Sequence, residues 1–266
     1  MQYLTNFLAY AKLQFKTSFV YRLQFMASII ISPLTLVLYY FMWQSVFANT
    51  TGDVLGYTFP EMIKYYVISM IIGHFIYNAV GNKMQEKIIY GDLNQDLLKP
   101  VSIFMQFLAK ELSERGFAFI AEVIPVFVIS FVFFKLTLPH ITLLLVFALT
   151  VFFAFMINFL LSFLIGLLAF WVKNIQSVQW LTFIFIRFLS GEFIPLEFIG
   201  YRFLEISKIL PFYYLRYGPI QVFLGKFSQA ELFTFILIQT AWIISLYLLI
   251  RIAWHFSLKK FGAEGG

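Results

Sequence analysis

The sequence predicts an all-α integral membrane protein in which six transmembrane helices form a single domain over residues 1–266, and three observations carry that expectation. Apolar residues make up 61% of the chain and charged residues 12%, where an ordinary soluble domain has roughly 25% charged residues. A soluble fold of this length would run out of polar groups and leave large apolar patches in water. Mean hydropathy is +0.86, and the apolar residues gather into six runs that approach the roughly 20 residues a helix needs to cross a hydrocarbon core of about 30 Å. A secreted globular enzyme, a nucleic-acid module and a disordered scaffold are excluded on these grounds. The absence of cysteine removes disulfides, thiolate metal sites and redox motifs.

Residues 1–24 place Leu4, Leu8, Ala11, Phe15 and Phe19 on one helical stripe and Lys12 and Lys16 on another face. This is the pattern of an amphipathic helix lying in the membrane surface, with a solvated tail as the alternative; it lacks the short charged region and cleavable apolar core of a signal peptide. The uncharged first span covers 26–47, and the second, 62–80, has Lys64 near its edge and His74 within it. The third, 117–134, carries Glu122, while the fourth, 141–172, is uncharged and long enough to tilt. The fifth, 175–189, is short and interrupted by Arg187, and the sixth covers 232–250. An even number of crossings leaves both termini on one side. Lys83, Lys87, Lys99, Lys110 and Arg115 weight that same side, which marks it as cytoplasmic, although Arg202, Lys208, Arg216 and Lys226 lie opposite.

Two connections are unlike ordinary loops. In the inner one, 81–115, Gly91 can end the extension of the second span, Asp92 can cap a short new helix and Pro100 can stop it. Leu93 and Leu97 then lie one turn apart on one face, suited either to a partner's groove or to this chain's own inner rim. The outer connection, 190–231, sets Gly191, Pro195, Pro211, Gly218 and Pro219 among apolar residues such as Phe193 and Phe212. It is too apolar for a solvated loop and too broken for a straight span. Two readings stay open, short helices that dip into the outer leaflet and return, or an amphipathic segment along the outer surface.

Catalytic chemistry is not indicated. Phosphate-cradling glycine motifs and a Gly-x-Ser-x-Gly elbow are missing, and His74, His140 and His255 fall on separate elements, so no cofactor, metal or catalytic residue is expected in this chain. Glu122 and Arg187 are the costly groups, since a charge at mid-bilayer costs about 2.5–3.5 kcal/mol on insertion scales. They are read as an ion pair between spans three and five, with Arg187 snorkelling to the interface or a polar element in a substrate path as alternatives. Asn78, Asn158 and Ser162 can hydrogen-bond between helices, and Gly166 permits close approach.

The order of these parts, together with Gly91-Asp92-Leu93-Asn94-Gln95-Asp96-Leu97-Leu98-Lys99-Pro100-Val101, Ser190-Gly191-Glu192-Phe193-Ile194-Pro195-Leu196, Leu210-Pro211-Phe212 and Gly218-Pro219, resembles the permease subunits of ATP-binding-cassette exporters of the type-2 superfamily. The resemblance covers nearly the whole chain. It implies that 1–24 is a connector helix, and that Gly91, Asp92, Leu93, Asp96, Leu97, Leu98, Lys99 and Pro100 couple the chain to a separate cytoplasmic ATPase that binds ATP and Mg. It implies further that Gly191, Phe193, Pro195, Pro211, Phe212, Gly218 and Pro219 belong to a re-entrant outer gate. Two permease chains, identical or related, would enclose a path for an amphipathic small molecule, antibiotic, lipid or glycan across a bacterial or archaeal plasma membrane. Two other classes stay open. A secondary transporter is expected to break helices in both halves, where this sequence shows one broken segment, late; a structural or assembly protein would need no substrate path.

Overall fold

The structure is a computed structural model that describes residues 11–13, 15–16, 22–134, 137–172 and 174–264. Among these residues it is all helix and turn, with one isolated bridge between Val54 and Tyr57. Helix α1 runs Arg22–Ala48, α2 Phe59–Ile76, α3 Val80–Ile89, α4 Asp92–Leu97 and α5 Ile103–Ala118. A π-helical turn, Phe119–Val123, leads into α6, Ile124–Phe134; α7 is Ile141–Leu167 and α8 Gln176–Leu189. Two short helices, α9 (Tyr201–Ser207) and α10 (Tyr217–Phe223), precede the long α11, Gln229–Glu264.

Among the described residues, five stretches are long and apolar enough to cross a membrane: Ile31–Ala48, Phe59–Ile89, Ile103–Phe134, Ile141–Phe170 and Gln229–Lys260. The expected fifth span is α8. It has 14 residues, about 21 Å of helix, which falls short of a hydrocarbon core of about 30 Å. The expected inner connection, in contrast, is mostly helix: α3 continues the second stretch and α5 begins the third at Ile103 instead of 117, so the chain turns only around 90–102. Lys83 joins these two extensions, its Nζ 2.7 Å from Glu111 and 2.8 Å from Glu114. The connector helix expected over 1–24 lies largely outside the described residues. Of it, the Ala11 carbonyl accepts from Ser113 Oγ at 2.8 Å and the Phe15 ring meets Phe117 with centroids 6.4 Å apart.

Local chemistry sets several helix starts. Thr58 and Glu61 form a capping box at α2, the Glu61 carboxylate accepting from the Thr58 amide at 2.9 Å and hydroxyl at 2.7 Å. Ser228 and Glu231 repeat the device at α11. Helix α7 is the centre of the packing, with α11, α3, α10 and α2 against it. Phe155, Phe159 and Phe163 form a buried ladder on α7 with centroids 6.2 and 6.1 Å apart, and Phe163 continues to Trp254 of α11. Gly166 lets α3 close in, because a Cβ there would stand 3.1 Å from the Gly81 Cα. Between apolar helices in lipid, such small-residue approach supplies the dispersion contact that a water-driven effect cannot.

A second break appears where the sequence shows none. Helices α2 and α3 are parted at 77–79, so broken helix is not confined to the late segment. The carbonyls released there find donors on neighbours: Arg115 Nη1 reaches the His74 carbonyl at 2.8 Å, and Asn158 Nδ2 the Ile76 carbonyl at 2.8 Å. The Gly81 amide donates to Ser162 Oγ at 3.2 Å. Irregular backbone at this position in a long apolar element survives because protein groups satisfy it.

Candidate functional site

The 91–100 region is held rigidly. Gly91 takes φ +79° and closes α3, so it, and not Asp92, stands at the start of α4. Asp96 is buried and anchors the helix from below. It receives hydrogen bonds from Lys87 and, at 2.6 Å, from Lys99, while its carbonyl accepts from Gln106 Nε2 at 2.9 Å. Burial pushes the Asp96 carboxyl up, but the hydrogen bonds and charges of the two lysines outweigh it and hold the group below the usual carboxylate range. Leu93 is wholly buried in the core. Leu93 and Leu97 lie one turn apart in α4 and differ in burial: Leu93 points into the chain's own packing, which is the inner-rim reading for that residue. Leu97 and Leu98 are exposed instead, with Tyr90 nearby in sequence; Leu98 is 87% exposed. Asp92, Lys99 and Pro100 are exposed as well.

The 190–231 segment is tied into the bundle. The Tyr65 hydroxyl donates to the Gly191 carbonyl, and that of Tyr66 to the Phe193 carbonyl at 2.9 Å. Glu197 accepts from Tyr217 and, at 3.2 Å, from Tyr57, whose oxygen in turn accepts from Gln221 Nε2 at 2.6 Å. Gln239 of α11 donates to the carbonyls of Thr150 (3.0 Å) and Tyr214 (3.1 Å), joining α7 to the segment. Gly191, Pro195, Pro211, Gly218 and Pro219 are buried, Phe212 is half-buried and Phe193 is exposed. At Gly218 a Cβ would stand 2.2 Å from the Phe235 ring, so α11 packs where any side chain would be. Arg216 reaches Ser69, ten residues into α2, donating to its carbonyl at 3.0 Å and its hydroxyl at 3.2 Å. That is about 15 Å along the helix.

The polar groups inside the bundle pair differently from the sequence expectation. Glu122 and Arg187 do not meet. Glu122 Oε2 lies 2.9 Å from His74 Nδ1, and His74 Nε2 is 3.0 Å from Ser32 Oγ, a chain that joins α2, the π-helical turn and α1. Arg187 pairs with Glu192 at 2.7 Å, and the other carboxylate oxygen of Glu192 lies 2.9 Å from Arg216 Nη2. Arg216, counted in the sequence as a charge of the outer connection, is 8% exposed. Nothing local marks it as buried; only Glu192, Ser69 and the side-chain-free face of Gly73 make room for it, a Cβ at Gly73 falling 3.0 Å from its Nη2.

These arginines and Glu192 stand at one end of a cleft of about 1050 Å³. One wall is the break at 77–79 with Asn158 and Ser162 of α7, the other is α8 with Gln179, Trp180, Phe183 and Arg187. Helix α8 has no buried residue among its 14, so it forms a wall without being part of the core. Groups of three or more metal-ligating side chains are absent among the described residues. The arrangement sets amides, hydroxyls and an ion cluster around one space, chemistry suited to binding and orienting a solute.

The long apolar helices and the polar cleft among them define a multi-pass membrane protein with a solute-sized space between its helices. The family described as ABC-2 family transporter protein matches residues 34–265, and the chain belongs to that family. No curated protein matches it. It is a membrane subunit of an ABC transporter, a transport component of the permease kind, and membership implies association with an ABC ATPase.

Proposed function

We propose that this chain is the permease half of an ATP-driven exporter, joined to a separate cytoplasmic ATPase through the 91–100 helix and to a second permease chain, alike or related, around the transport path. ATP and Mg belong to the partner. The observation that carries the reading is the cleft of about 1050 Å³ whose outer wall, α8, finishes as a wall without a core of its own. Trp180, Leu181 and Phe185 of α8 are exposed, which suits a second copy or an amphipathic cargo. In this reading α8 and the 190–231 segment together make the fifth crossing, the segment entering from outside and both termini lying in the cytoplasm; the contact of Arg216 with Ser69 supports that depth.

Coupling follows from stiffness. Asp96 binds α4 to Lys87 of α3, and its carbonyl is held by Gln106 of α5, so a push on the exposed Leu97 and Leu98 passes into the two long helices instead of dissipating in a soft turn. ATP binding closes the ATPase pair, and the docked helices carry that movement to the cleft. Purification from native membranes should bring a nucleotide-binding subunit with the chain, and the reconstituted complex should move an amphipathic dye only with ATP. One observation favours a second reading: the break at 77–79 places broken helix in both halves of the chain, as a secondary transporter would have it. Dye movement driven by an ion gradient in vesicles holding this chain alone would overturn the exporter and establish that alternative.

A further inference from the structure

We infer that the cleft selects an amphiphile with an anionic headgroup, and that Arg187 is the residue that meets the anion. The inference rests on reading the cleft as the transport path. Its first support is the charge count at the end near 190. Two guanidiniums, Arg187 and Arg216, share a single carboxylate, Glu192, leaving one positive charge in excess. Arg216 is committed to the fold by Ser69 and Glu192, and it is buried. Arg187 is not committed in this way. Of the five donors that a guanidinium carries, its one ion pair among the described residues is Nη2 to Glu192, its side chain is 36% exposed, and it borders the cleft.

The ring contacts preorganise it. The Arg187 guanidinium lies over Phe183 at 5.2 Å and over Phe193 at 4.9 Å, two ring contacts that restrict where the planar group can sit, and its one ion pair among the described residues uses Nη2. A planar fork of this kind matches the paired oxygens of a phosphate, sulfate or carboxylate. Along the cleft, Asn78 and Ser162 offer neutral hydrogen-bonding groups, and the Gln179 Nε2 donor is buried with no acceptor among the described residues. Trp180 adds apolar surface on the same wall. The space thus has a cationic end, a polar flank and an aromatic wall, which together describe a head that is charged and hydroxylated and a tail that is not.

The opposite end of the cleft has the other sign. Glu86 of α3 borders it there, thirteen residues beyond Gly73 on the broken α2–α3 element, roughly 20 Å away along the axis. That separation exceeds the screening length of about 8 Å at physiological salt, so the ends do not cancel. An anion is disfavoured beside Glu86 and favoured beside Arg187, and a cationic amphiphile meets the reverse order. The cleft therefore discriminates by headgroup charge while its walls accept many tails.

The test uses the purified full chain in nanodiscs of phosphatidylcholine, without any ATPase. Binding of lauroyl lysophosphatidylglycerol and lauroyl lysophosphatidylcholine, which share a tail and differ in head charge, is read by tryptophan fluorescence. The anionic amphiphile should bind about tenfold tighter, Arg187→Gln should erase the difference, and Glu192→Gln, which leaves both guanidiniums without a counter-charge, should widen it. Thermal unfolding of each variant in the same discs separates loss of the site from loss of the fold. Equal affinities for the two heads, or a preference that persists in folded Arg187→Gln, would overturn the inference. So would full displacement by millimolar inorganic phosphate, since the tail would then be irrelevant. Failure of an ATPase to copurify bears on the exporter reading alone and leaves this result standing.

Discussion

Two broken stretches, 91–100 and 190–231, lie between long helices of one bundle and are held by different balances of ion pairs and hydroxyl contacts. The first is fastened by ions. Asp96 gathers Lys87 and Lys99 beneath α4, and the helix turns Leu97 and Leu98 outward. The second is fastened mostly by hydroxyls and by shape, with Tyr57, Tyr65, Tyr66 and Tyr217 serving its carbonyls and Glu197 and with Pro211 to Phe223 almost wholly buried, and beside these by the ion cluster of Arg216, Glu192 and Arg187. The difference separates a segment buried in the chain's own fold from a helix that leaves Leu97 and Leu98 on its surface. Both stretches contain ion pairs, but at 91–100 the lysines around Asp96 are partly exposed, whereas in 190–231 the ion cluster, Arg187–Glu192–Arg216, is joined by tyrosine hydroxyls that satisfy backbone carbonyls without adding further charge.

Substitutions can break that contrast at either end. The largest expected effect is at Gly218, where a methyl group would stand 2.2 Å from the Phe235 ring and 3.2 Å from Tyr213. Gly218→Ala should cost about 3 kcal/mol by overpacking and lower the unfolding temperature markedly in detergent. A variant as stable as the parent would show the segment to be loosely seated. Asp96→Asn comes next, at about 1 kcal/mol, because it removes the charge from a buried hub whose lysines are themselves partly in water.

The same hub makes a pH prediction. The Asp96 carboxyl is depressed in the folded protein from an ordinary value of 3.8, so its stabilisation is complete above that value and is lost as pH falls through the lower folded one. The difference in unfolding temperature between parent and Asp96→Asn should shrink as pH is lowered below 4, and a constant gap would remove the ionic account. Tyr66→Phe deletes one hydroxyl donor to the Phe193 carbonyl and should cost roughly 1 kcal/mol, measurable by denaturant titration; no change would mean that water replaces the hydroxyl there. The smallest effect on stability, under about 0.5 kcal/mol, belongs to Leu98→Asp, since that side chain is 87% exposed. It should nevertheless abolish copurification of the ATPase. A variant that keeps the partner would detach the 91–100 helix from coupling.

Much of this molecule is readable along the chain. The uncharged run at 141–172 became α7 and its 3-10 extension, the longest charge-free element of the core, because twenty apolar residues in sequence leave few structures other than a buried or lipid-facing helix. Gly91 and Pro100 bracketed α4 because a left-handed turn and a missing amide act on their own neighbours. Partners were another matter. Glu122 and Arg187 stood out as costly residues, yet their mates, His74 and Glu192, follow from which helix faces lie together, and the sequence alone does not encode that locally. The parting of helix at 77–79 likewise carries no glycine or proline. It depends on Arg115 and Asn158 taking the His74 and Ile76 carbonyls from across the bundle.

The sequence by itself determined that the chain lives in a bilayer, where most of its apolar runs cross and where two broken segments interrupt them, since hydropathy and backbone stereochemistry act over a few residues at a time. Tertiary structure decided which of those residues face inward: that Leu93 is core and Leu98 is surface, that Arg216 is buried, that α8 is too short and too little buried to stand as a span of the core, and that a polar cleft opens beside it. Those outcomes depend on distances between groups far apart in the chain. A hydrogen bond or ion pair is worth making in a low-dielectric interior only where both partners arrive, and arrival is settled by the packing of whole helices.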